Sequence, residues 1–297
     1  MTISRQNLTI IIVSFISDNV IHDCIKSISK DLNIIIVDNS NNKKFKDIVE
    51  KKYENVTCIL SSENIGMGAG NNLGIKHLKT DYAFILNPDV TLEIDTIDEI
   101  IKGAQKIKSF GILAPLSNDE NYPNYKVNIK KNTVANLIEP FRVNSVDGFA
   151  MVINIKKLRS LNNFKNHGFF DENFFMYLEN DDICKRVIEE NENIYVVPKS
   201  KINHIGASAV DQKYNHQVEL SRNWHWIWSK FYYQKKHNNY LVALINGFPT
   251  FLSAILKCVL YLLIFNTKKR AIYFYRAMGY LNALLGRKSY YRPKIKI

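Results

Sequence analysis

The first ninety residues contain four short apolar runs that alternate with segments of helical spacing. The runs are rich in Ile and Val and are too short for typical helices, and the first is apolar on both faces, as a central strand of a parallel sheet should be. Strands that alternate with helices predict parallel βαβ units, and therefore an α/β sheet with helices packed on it. The runs lie at 8–15, 34–37, 56–60 and 82–86.

Two of these runs end in a carboxylate. The fourth is followed by Asn87, Pro88 and Asp89, where proline cannot donate to a sheet ladder and so ends the strand. The second ends similarly at Asp38. Ligands of open α/β sheets bind beyond the carboxyl ends of the strands, so Asp89 is placed to meet a ligand or its metal ion. A turn with a solvated Asp is the alternative, and these residues alone favour it.

A glycine-rich segment, 64–74, lies between the third and fourth runs. Glycines allow a close approach of the backbone to a ligand, and a following helix offers unpaired N–H groups to an anion. The segment is therefore a candidate phosphate cradle, and a glycine loop that only caps a helix is the other interpretation. It lacks the third glycine of the dinucleotide fingerprint and follows the third strand, which disfavours a nicotinamide or flavin cofactor.

A second dense stretch, 168–186, combines aromatic and acidic residues. A helix that starts near Glu179 would place Glu179, Asp182 and Arg186 on one face. Acids at a helix N-terminus, paired with bases one turn later, are a sufficient structural explanation. Five preceding aromatic residues would also exclude water, so one carboxylate could be held with a raised proton affinity and act as a base.

Two further features lie around this stretch. Residues 117–144 are polar with little periodicity, which is typical of a binding loop or a lid, and the apolar run after them is broken at Asp147 and Gly148. His204 follows a later strand. Such a histidine is usually a hydrogen-bonded loop residue, but near an Asp and a diphosphate it becomes a third metal contact.

Taken together, these stretches resemble a family 2 glycosyltransferase, in particular the branch of rhamnosyltransferases that act on cell-surface polysaccharides. The resemblance covers roughly residues 8–210. It implies a GT-A fold, in which a mixed sheet flanked by helices binds the nucleotide and is fused to an acceptor-binding half, and it implies inversion of the anomeric carbon. The matching motifs are Ile-Ile-Val-Ser-Phe at 11–15, Val-Asp-Asn-Ser at 37–40, Asn64 to Gly74, Leu-Asn-Pro-Asp-Val at 86–90, Phe-Asp-Glu-x-Phe-Phe-x-Tyr-x-Glu at 170–179 and His204-x-x-x-Ser208.

The same resemblance implies roles for the matching residues. Asp89 and His204 would hold a divalent cation, Mg²⁺ or Mn²⁺. The family's catalytic carboxylate belongs to a Glu-Asp pair, but here the second position is Asn180, an amide that cannot take a proton. Asp181 is the preferred substitute, with Asp182 next and Glu179 beside them. The residues expected to bind substrate are Ser14, Phe15, Asp38, Asn39, Asn64, Gly66, Gly68, Asn71, Asn87, Asp147 and Gly148.

The C-terminal region, 220–297, differs from the rest in composition. It holds 14 Lys and Arg, all three Trp and no Asp or Glu, whereas 1–219 is near neutral. We therefore expect a catalytic domain at 1–219, with a nucleotide-sugar half (1–115) and an acceptor half (116–219), followed by a basic, aromatic, helical region that associates with membranes.

The apolar stretch 241–265 is long enough to span a bilayer. Asn246, Gly247, Pro249 and Lys257 interrupt it, and basic residues flank both ends, so the pattern favours a helix lying on an anionic membrane over a single spanning helix. A soluble helical subdomain remains an alternative. Nucleic acid is not an expected partner, because the long uncharged run would have no role in binding it.

The expected function is transfer of a sugar from a nucleotide diphosphate sugar to a hydroxyl of a lipid-linked oligosaccharide, at the cytoplasmic face of the cell membrane. Rhamnose from dTDP-rhamnose is the favoured donor, with UDP-galactose or UDP-GlcNAc as alternatives. Scattered cysteines and the lack of an N-terminal leader favour a reducing compartment. A membrane-bound nucleotide-sugar binding protein without catalysis is the non-enzyme alternative. A nucleotidyltransferase is disfavoured, because no basic glycine-rich loop follows the first strand.

Overall fold

The strands of the computed structural model belong to one mixed sheet. The structure describes residues 2–126, 138–165, 168–206, 210–292 and 295, and in them nine strands pair in the order β3-β2-β1-β4-β8-β6-β9-β5, with β7 paired to β9. The strands are β1 (Leu8–Ser14), β2 (Asn33–Asp38), β3 (Val56–Leu60), β4 (Tyr82–Leu86), β5 (Val90–Leu92), β6 (Ile112–Ser117), β7 (Phe141–Arg142), β8 (Ala150–Asn154) and β9 (Ile194–His204).

Strand direction decides which residues meet. The predicted strands β3, β2, β1 and β4 are all parallel, as expected for βαβ units. β8 runs antiparallel to β4 and to β6, and β6 is parallel to β9. The carboxyl ends of β1, β2, β4 and β9 and the start of β8 therefore lie at the same edge of the sheet. We call this the carboxyl edge.

Helices alternate with the strands along the chain and follow the last strand. The described helices are α1 (Ile21–Ser27), α2 (Lys43–Lys52), α3 (Met67–Lys76), α4 (Thr96–Gln105), α5 (Ile155–Leu158), α6 (Asn162–Lys165), α7 (Glu179–Glu189), α8 (Asn215–His237), α9 (Tyr240–Leu263) and α10 (Thr267–Leu284), with 3-10 turns at Arg5–Asn7 and Gln212–Tyr214.

Two glycines of the predicted phosphate cradle pack α3 on β1. A Cβ atom on Gly70 would lie 2.8 Å from a methyl of Val13, and one on Gly74 would lie 2.6 Å from a methyl of Ile11. Real side chains do not approach so closely, so these positions require glycine for the helix to sit on the strand. At least part of the glycine pattern is therefore explained by packing.

The chain divides into two compact units. The first comprises Met1–Ile65, Ala69–Asp171 and Asn180–Asp211, and the second comprises Gly66–Gly68, Glu172–Glu179 and Gln212–Ile297. The core of the first unit is the sheet with its helices, and all seven residues of β1 are buried in it. Each buried Ile or Val side chain of this kind contributes about 1.5–3 kcal/mol to folding, so the sheet centre dominates the stability of this unit.

The second unit is a helical bundle with an aromatic core. Trp224, Trp228 and Phe231 of α8 pack with Tyr280 of α10. α8 and α10 cross closely, since a Cβ on Gly279 would lie 2.3 Å from the carbonyl oxygen of Trp224. Residues 172–179, the later part of the aromatic stretch, belong to this unit. Ser229 Oγ donates a hydrogen bond of 2.8 Å to the carbonyl oxygen of Met176, and Asn173 Nδ2 donates one of 3.1 Å to the hydroxyl of Tyr232.

Helix α9 presents its large apolar side chains to the outside. Among the described residues it is the one helix long and apolar enough to cross a membrane by length and composition, and 11% of its most apolar window is buried. Its inward positions are mostly small, and a Cβ on Gly247 would lie 2.4 Å from the ring of Tyr280. The outward positions form a continuous stripe, the apolar face, made of Leu241, Ile245, Phe248, Leu252, Leu256, Val259, Leu260 and Leu263, all of them exposed.

Candidate active site

The turn after β4 brings the predicted metal carboxylate to the carboxyl edge. Asn87 N donates a hydrogen bond of 2.9 Å to the carbonyl oxygen of Phe149, because β8 runs antiparallel to β4 and Phe149 immediately precedes β8. Val90 N donates to the carbonyl oxygen of Asn87 at 3.2 Å and closes the turn around Pro88. Asp89 is 3% exposed at this point.

His204 reaches Asp89 through strand pairing. The antiparallel register of β5 and β9 makes Val90 the partner of His204, so the imidazole Nε2 lies 3.6 Å from Asp89 Oδ1. The Phe149 ring stacks on the imidazole with 4.2 Å between ring centroids, which fixes the plane of His204. Three segments far apart in the chain thus meet at one place.

Two buried oxygens at this place lack a hydrogen bond. Asp89 Oδ1 and Asn87 Oδ1 are both shielded from solvent and have no hydrogen-bond partner among the described residues. An unsatisfied buried acceptor costs about 1–3 kcal/mol, more when it is charged, and such groups in native proteins call for an explanation. Oxygen donors beside an imidazole suit a divalent cation.

These residues supply only some of the ligands that a divalent cation needs. The described residues contain no group of three or more His, Cys, Asp and Glu side chains placed to hold a metal ion. Mg²⁺ is commonly bound by one or two carboxylates together with substrate phosphates and water. The pair Asp89 and His204, with Asn87 beside them, fits an ion whose coordination a bound diphosphate completes.

The predicted nucleotide-side residues lie at the ends of β1 and β2. Ser14 and Asp38 are register partners, and Ser14 Oγ donates to Asp38 Oδ1 at 3.2 Å. Asp38 also accepts hydrogen bonds from Ser40 and from the backbone N–H of Asn42. The carboxylate of Asp38 therefore organises the loop after β2. Asn39 is buried beside it and donates its backbone N–H to the Ser14 carbonyl at 2.9 Å.

The remaining substrate-side predictions are spread over both units. Phe15 is half-buried just after β1, and Asn64 is half-buried before α3. Asn71 is buried in α3, with its side-chain oxygen lacking a hydrogen-bond partner among the described residues. Gly66 and Gly68 belong to the second unit, as does Glu179. Gly66 has a φ of +87°, and its backbone passes so close to Phe175 that a Cβ would lie 2.3 Å from the Phe175 carbonyl oxygen.

The second acidic cluster joins the carboxyl edge through the segment 145–149, which leads into β8. Ser145 Oγ donates to Asp181 Oδ1 at 2.7 Å, and Asn180 Nδ2 donates to the Val146 carbonyl oxygen at 2.9 Å. Because Phe149 of the same segment touches His204, the first turn of α7 is connected to the Asp89 region.

The pKa of Asp147, in the middle of this segment, is affected by charged groups of both clusters. Burial raises the pKa of its carboxyl, and the charge of Asp181 raises it further. Lys126 and His204 act in the opposite direction and lower the pKa of Asp147. A half-buried carboxyl with a raised pKa at such an edge is a candidate functional group.

The contacts of Asp182 indicate a role in the structure of α7. Its carboxylate is completely buried and accepts a 2.9 Å hydrogen bond from Arg186 Nε, one turn later in α7. Arg186 also donates to the carbonyl oxygens of Asn163, Gly168 and Phe169. The predicted pairing of Asp182 with Arg186 on one helix face is thus present.

The sequence does not identify two residues that contact the candidate site. Lys126, whose Nζ lies 2.9 Å from both oxygens of Asp181, sits in the polar stretch 117–144 and carries no local signal. Phe149 is one apolar residue in an apolar run. Asp147 and Gly148 are among the residues that the sequence predicts to bind substrate, and the signal for them is the break that they make in this apolar run. Ser208 and residues 127–137 of the predicted loop lie outside the described residues.

Comparison with solved structures identifies the architecture as the GT-A fold. A mannosyltransferase, PcManGT from Pyrobaculum calidifontis in complex with GDP-Man and Mn²⁺, superposes with a TM-score of 0.56 over 95% of this chain and 88% of its own, at 11% identity. GalNAc-T7 with UDP, GalNAc and Mn²⁺ superposes with a TM-score of 0.53 over 78% of this chain and 52% of its own, at 14% identity. The predicted α/β fold is confirmed.

Sequence comparison identifies the family. The profile described as Glycosyl transferase family 2 matches residues 9–178, and the chain belongs to that family. It is 28% identical over 205 residues to the low-salt glycan biosynthesis hexosyltransferase Agl10 of Haloferax volcanii, and this match spans 64% of the chain and 64% of the relative.

Proposed function

We propose that this protein is an inverting glycosyltransferase that moves a sugar from a nucleotide diphosphate sugar to a hydroxyl of a lipid-linked surface-polysaccharide intermediate. The observation that carries the proposal is the meeting of Asp89, His204 and the segment 145–149 at the carboxyl edge. Two buried oxygens there have no hydrogen-bond partner in the part of the chain that the structure describes. Ligands of α/β sheets bind at this edge.

The donor nucleotide is assigned to the ends of β1 and β2. In this proposal Asp38 contacts the base or ribose. Ser14, Phe15, Asn39, Asn64 and Asn71 line the nucleotide pocket. Residues 1–115 form the nucleotide-sugar half and 116–219 the acceptor half. The ordered hydrogen bonds around Asp38 support this assignment, because a preformed loop loses little conformational entropy on binding.

Asp89 and His204 are assigned to a divalent cation, with Asn87 beside them. When bound, Mg²⁺ or Mn²⁺ neutralises the charge that develops on the leaving diphosphate. Asp89 supplies an anionic oxygen from a site 3% exposed, where a charge interaction is stronger than in water. The stacked Phe149 ring holds the imidazole of His204 in place.

The transfer itself is a single displacement. The acceptor hydroxyl oxygen attacks C1 of the donor sugar, the bond from C1 to the diphosphate oxygen breaks, and the electron pair leaves with the nucleoside diphosphate. The hydroxyl proton passes to a carboxylate of the protein. Asp181, Glu179 and Asp182 are the sequence-based candidates for that acceptor group. Attack from the face opposite the diphosphate inverts C1.

Rhamnose from dTDP-rhamnose is the proposed donor sugar, on the strength of the motif resemblance. A hexose donor is the alternative, in keeping with the names of the similar proteins, a hexosyltransferase and a mannosyltransferase with GDP-Man. The test is incubation of the protein with a panel of sugar nucleotides, with Mg²⁺ or Mn²⁺ and without. We expect release of nucleoside diphosphate from one donor, dependent on the cation. Donor binding without turnover would instead identify a nucleotide-sugar binding protein.

We also propose that the second unit lies on an anionic membrane through the apolar face of α9. That face exposes eight large apolar side chains in a stripe along the helix, and burying such a surface in lipid stabilises association. The region 220–297 carries 14 basic and no acidic residues, which complements anionic headgroups. Basic residues on both sides of α9 and the interruption at Lys257 favour a helix in the interface plane over a spanning one. The corresponding location is the cytoplasmic face of the cell membrane.

Vesicle sedimentation tests the membrane proposal. Wild-type protein should sediment with phosphatidylcholine vesicles containing phosphatidylglycerol, and part of this binding should persist in high salt, because apolar burial is not screened. The double variant Leu256→Glu, Leu260→Glu should lose it. The matched control is Ile48→Glu, Ile94→Glu, which changes two exposed isoleucines of the first unit. Equal binding of both variants would contradict the proposal.

A further inference from the structure

The segment before β8 is fixed to the first turn of α7 by contacts on both sides of Asp147. Before it, Ser145 Oγ donates to Asp181 Oδ1 at 2.7 Å, and the Val146 carbonyl oxygen accepts from Asn180 Nδ2 at 2.9 Å. After it, the backbone of Gly148 packs on Asn180, since a Cβ there would lie 3.3 Å from Asn180 Cβ. Asp147 is therefore held at a defined position beside the helix start.

These contacts explain why an amide occupies position 180. The Val146 carbonyl is a buried acceptor and needs a donor, which an amide supplies and an ionised carboxylate does not. A carboxylate at 180 would also add a negative charge beside Asp181 and Asp147, and like charges so close resist ionisation. Asn180 is thus suited to hold the segment in place.

The other acids of this cluster in the first unit are already engaged. Both oxygens of Asp181 lie 2.9 Å from Lys126 Nζ, and one of them also accepts from Ser145. Asp182 is completely buried and paired with Arg186. A carboxylate that accepts several hydrogen bonds offers fewer lone pairs to a substrate proton.

Asp147 differs from both of them. Within the described residues its side chain makes no hydrogen bond and no ion pair, and it is half-buried, so a substrate can reach it. The charged groups that act on it are Lys126 and Asp181 on the α7 side and His204 on the Asp89 side. It is the carboxylate that lies under the influence of both the proposed cation site and the helix start.

We propose that Asp147 is the general base of the transfer, and that Asn180 is the residue that positions it. This inference rests on the proposed function. The hydroxyl oxygen of the acceptor forms a bond to C1, the bond from C1 to the diphosphate breaks with its electron pair, and the proton moves to the Asp147 carboxylate. The carboxylate that the family places at position 180 is in this chain supplied from position 147. The raised pKa of Asp147 fits a group that takes up a proton.

Steady-state kinetics with the donor found in the panel experiment tests this inference. Asp147→Asn, which keeps the size of the side chain, should lower kcat by about 10²–10⁴-fold with the donor KM and nucleotide binding unchanged. The acidic limb of the pH profile of kcat should disappear with it. Asp181→Asn should lower kcat by less than Asp147→Asn. Asn180→Ala should lower kcat less than Asp147→Asn and retain the acidic limb, because the base is present but less well placed.

The outcomes separate the two proposals. If the wild-type protein binds no sugar nucleotide and releases no nucleoside diphosphate, the proposed function fails. If the wild type turns over and Asp147→Asn keeps kcat within threefold, the function stands and Asp147 is not the base. A larger loss in Asp181→Asn than in Asp147→Asn, in proteins with the wild-type circular dichroism spectrum and Tm, likewise overturns the inference and gives the role to Asp181.

Discussion

Asp89 Oδ1 lies 3.6 Å from His204 Nε2 and is shielded from solvent, and no described residue gives it a hydrogen bond. This relationship depends on the pairing of β5 with the end of β9, which makes Val90 and His204 register partners. In the proposed function this oxygen binds the cation, and leaving it without a hydrogen bond in the free protein costs stability.

Replacing Asp89 should therefore weaken cation binding without lowering the stability of the fold. We expect Asp89→Asn to keep or raise the Tm without metal, because this removes a buried charge whose Oδ1 has no hydrogen-bond partner among the described residues. Binding of Mn²⁺ in the presence of nucleoside diphosphate, followed by electron paramagnetic resonance, should weaken at least tenfold. Asp119→Asn, on an exposed loop, is the control and should change neither quantity. Unchanged Mn²⁺ binding in Asp89→Asn would remove Asp89 from the cation site.

The ion pair of Asp182 and Arg186 should stabilise the folded protein. Their side chains are 0% and 7% exposed, and loss of one partner leaves a buried charge uncompensated. Asp182→Ala should lower the free energy of unfolding by about 3–5 kcal/mol in urea titrations. The exposed pair Lys185 and Glu189 on the same helix is the control, and Glu189→Gln should cost less than about 1 kcal/mol. Similar costs for both changes would show that the buried pair is not needed for stability.

Because α8 and α10 cross closely, replacing a glycine at the crossing should have the opposite of its usual effect on helix stability. Gly→Ala in a helix generally stabilises by about 1 kcal/mol. Gly279→Ala should instead destabilise by about 1–3 kcal/mol, because its Cβ would meet the Trp224 carbonyl oxygen at 2.3 Å. Thermal unfolding measures the difference. Gly286→Ala, where φ is +68° and no atom lies within 4 Å of the new Cβ, isolates the backbone cost of about 1–2 kcal/mol. A Gly279→Ala protein as stable as wild type would contradict the close crossing.

His225 should make stability fall in mild acid. Its Nε2 donates to the Tyr291 carbonyl oxygen at 2.8 Å, so its Nδ1 accepts from the hydroxyl of Ser289, and the ring is neutral. Burial, together with the charge of Arg292, lowers the pKa of His225 to about 3, although its hydrogen bond to the Tyr291 carbonyl oxygen acts in the opposite direction. The unfolded chain, with a pKa of about 6.5, then binds the proton more readily than the folded one.

The free energy of unfolding should consequently decrease by about 1.4 kcal/mol per pH unit between pH 6.5 and 4, while above pH 7 this residue has no effect. Urea titrations at several pH values measure the slope. His225→Gln should be less stable at pH 7.5 but should lose this contribution to the slope. An unchanged slope in the variant would show that His225 is not the titrating group.

The sequence predicts the sheet well where local residues decide the structure. The four apolar runs became β1 to β4, and Pro88 ends the fourth as expected. The sequence does not predict the distance between Asp89 and His204. That distance depends on β5, a strand of only three residues that is too short to be recognised as an apolar run. The connection between the two acidic clusters includes the hydrogen bond of Asn180 to the Val146 carbonyl oxygen, and a backbone partner of this kind cannot be read from the sequence.

Helix α9 shows a different limit. Its sequence is apolar on nearly all sides, so its periodicity cannot say which face is buried. The packing of Tyr280 against Gly247 selects the face with small residues for the inside and leaves the large ones outside. The composition thus suggested a membrane, but only the structure defines the surface to be tested.

In the proposed function, the carboxyl edge around Asp89 transfers a sugar from a nucleotide diphosphate donor. The most direct test is the release of nucleoside diphosphate from a panel of sugar nucleotides by wild-type protein and Asp89→Asn, side by side with Mn²⁺. We predict cation-dependent release from one donor by the wild type and a loss of at least about 10²-fold in the variant. Equal release by both folded proteins, or none by the wild type from any donor, would contradict the claim.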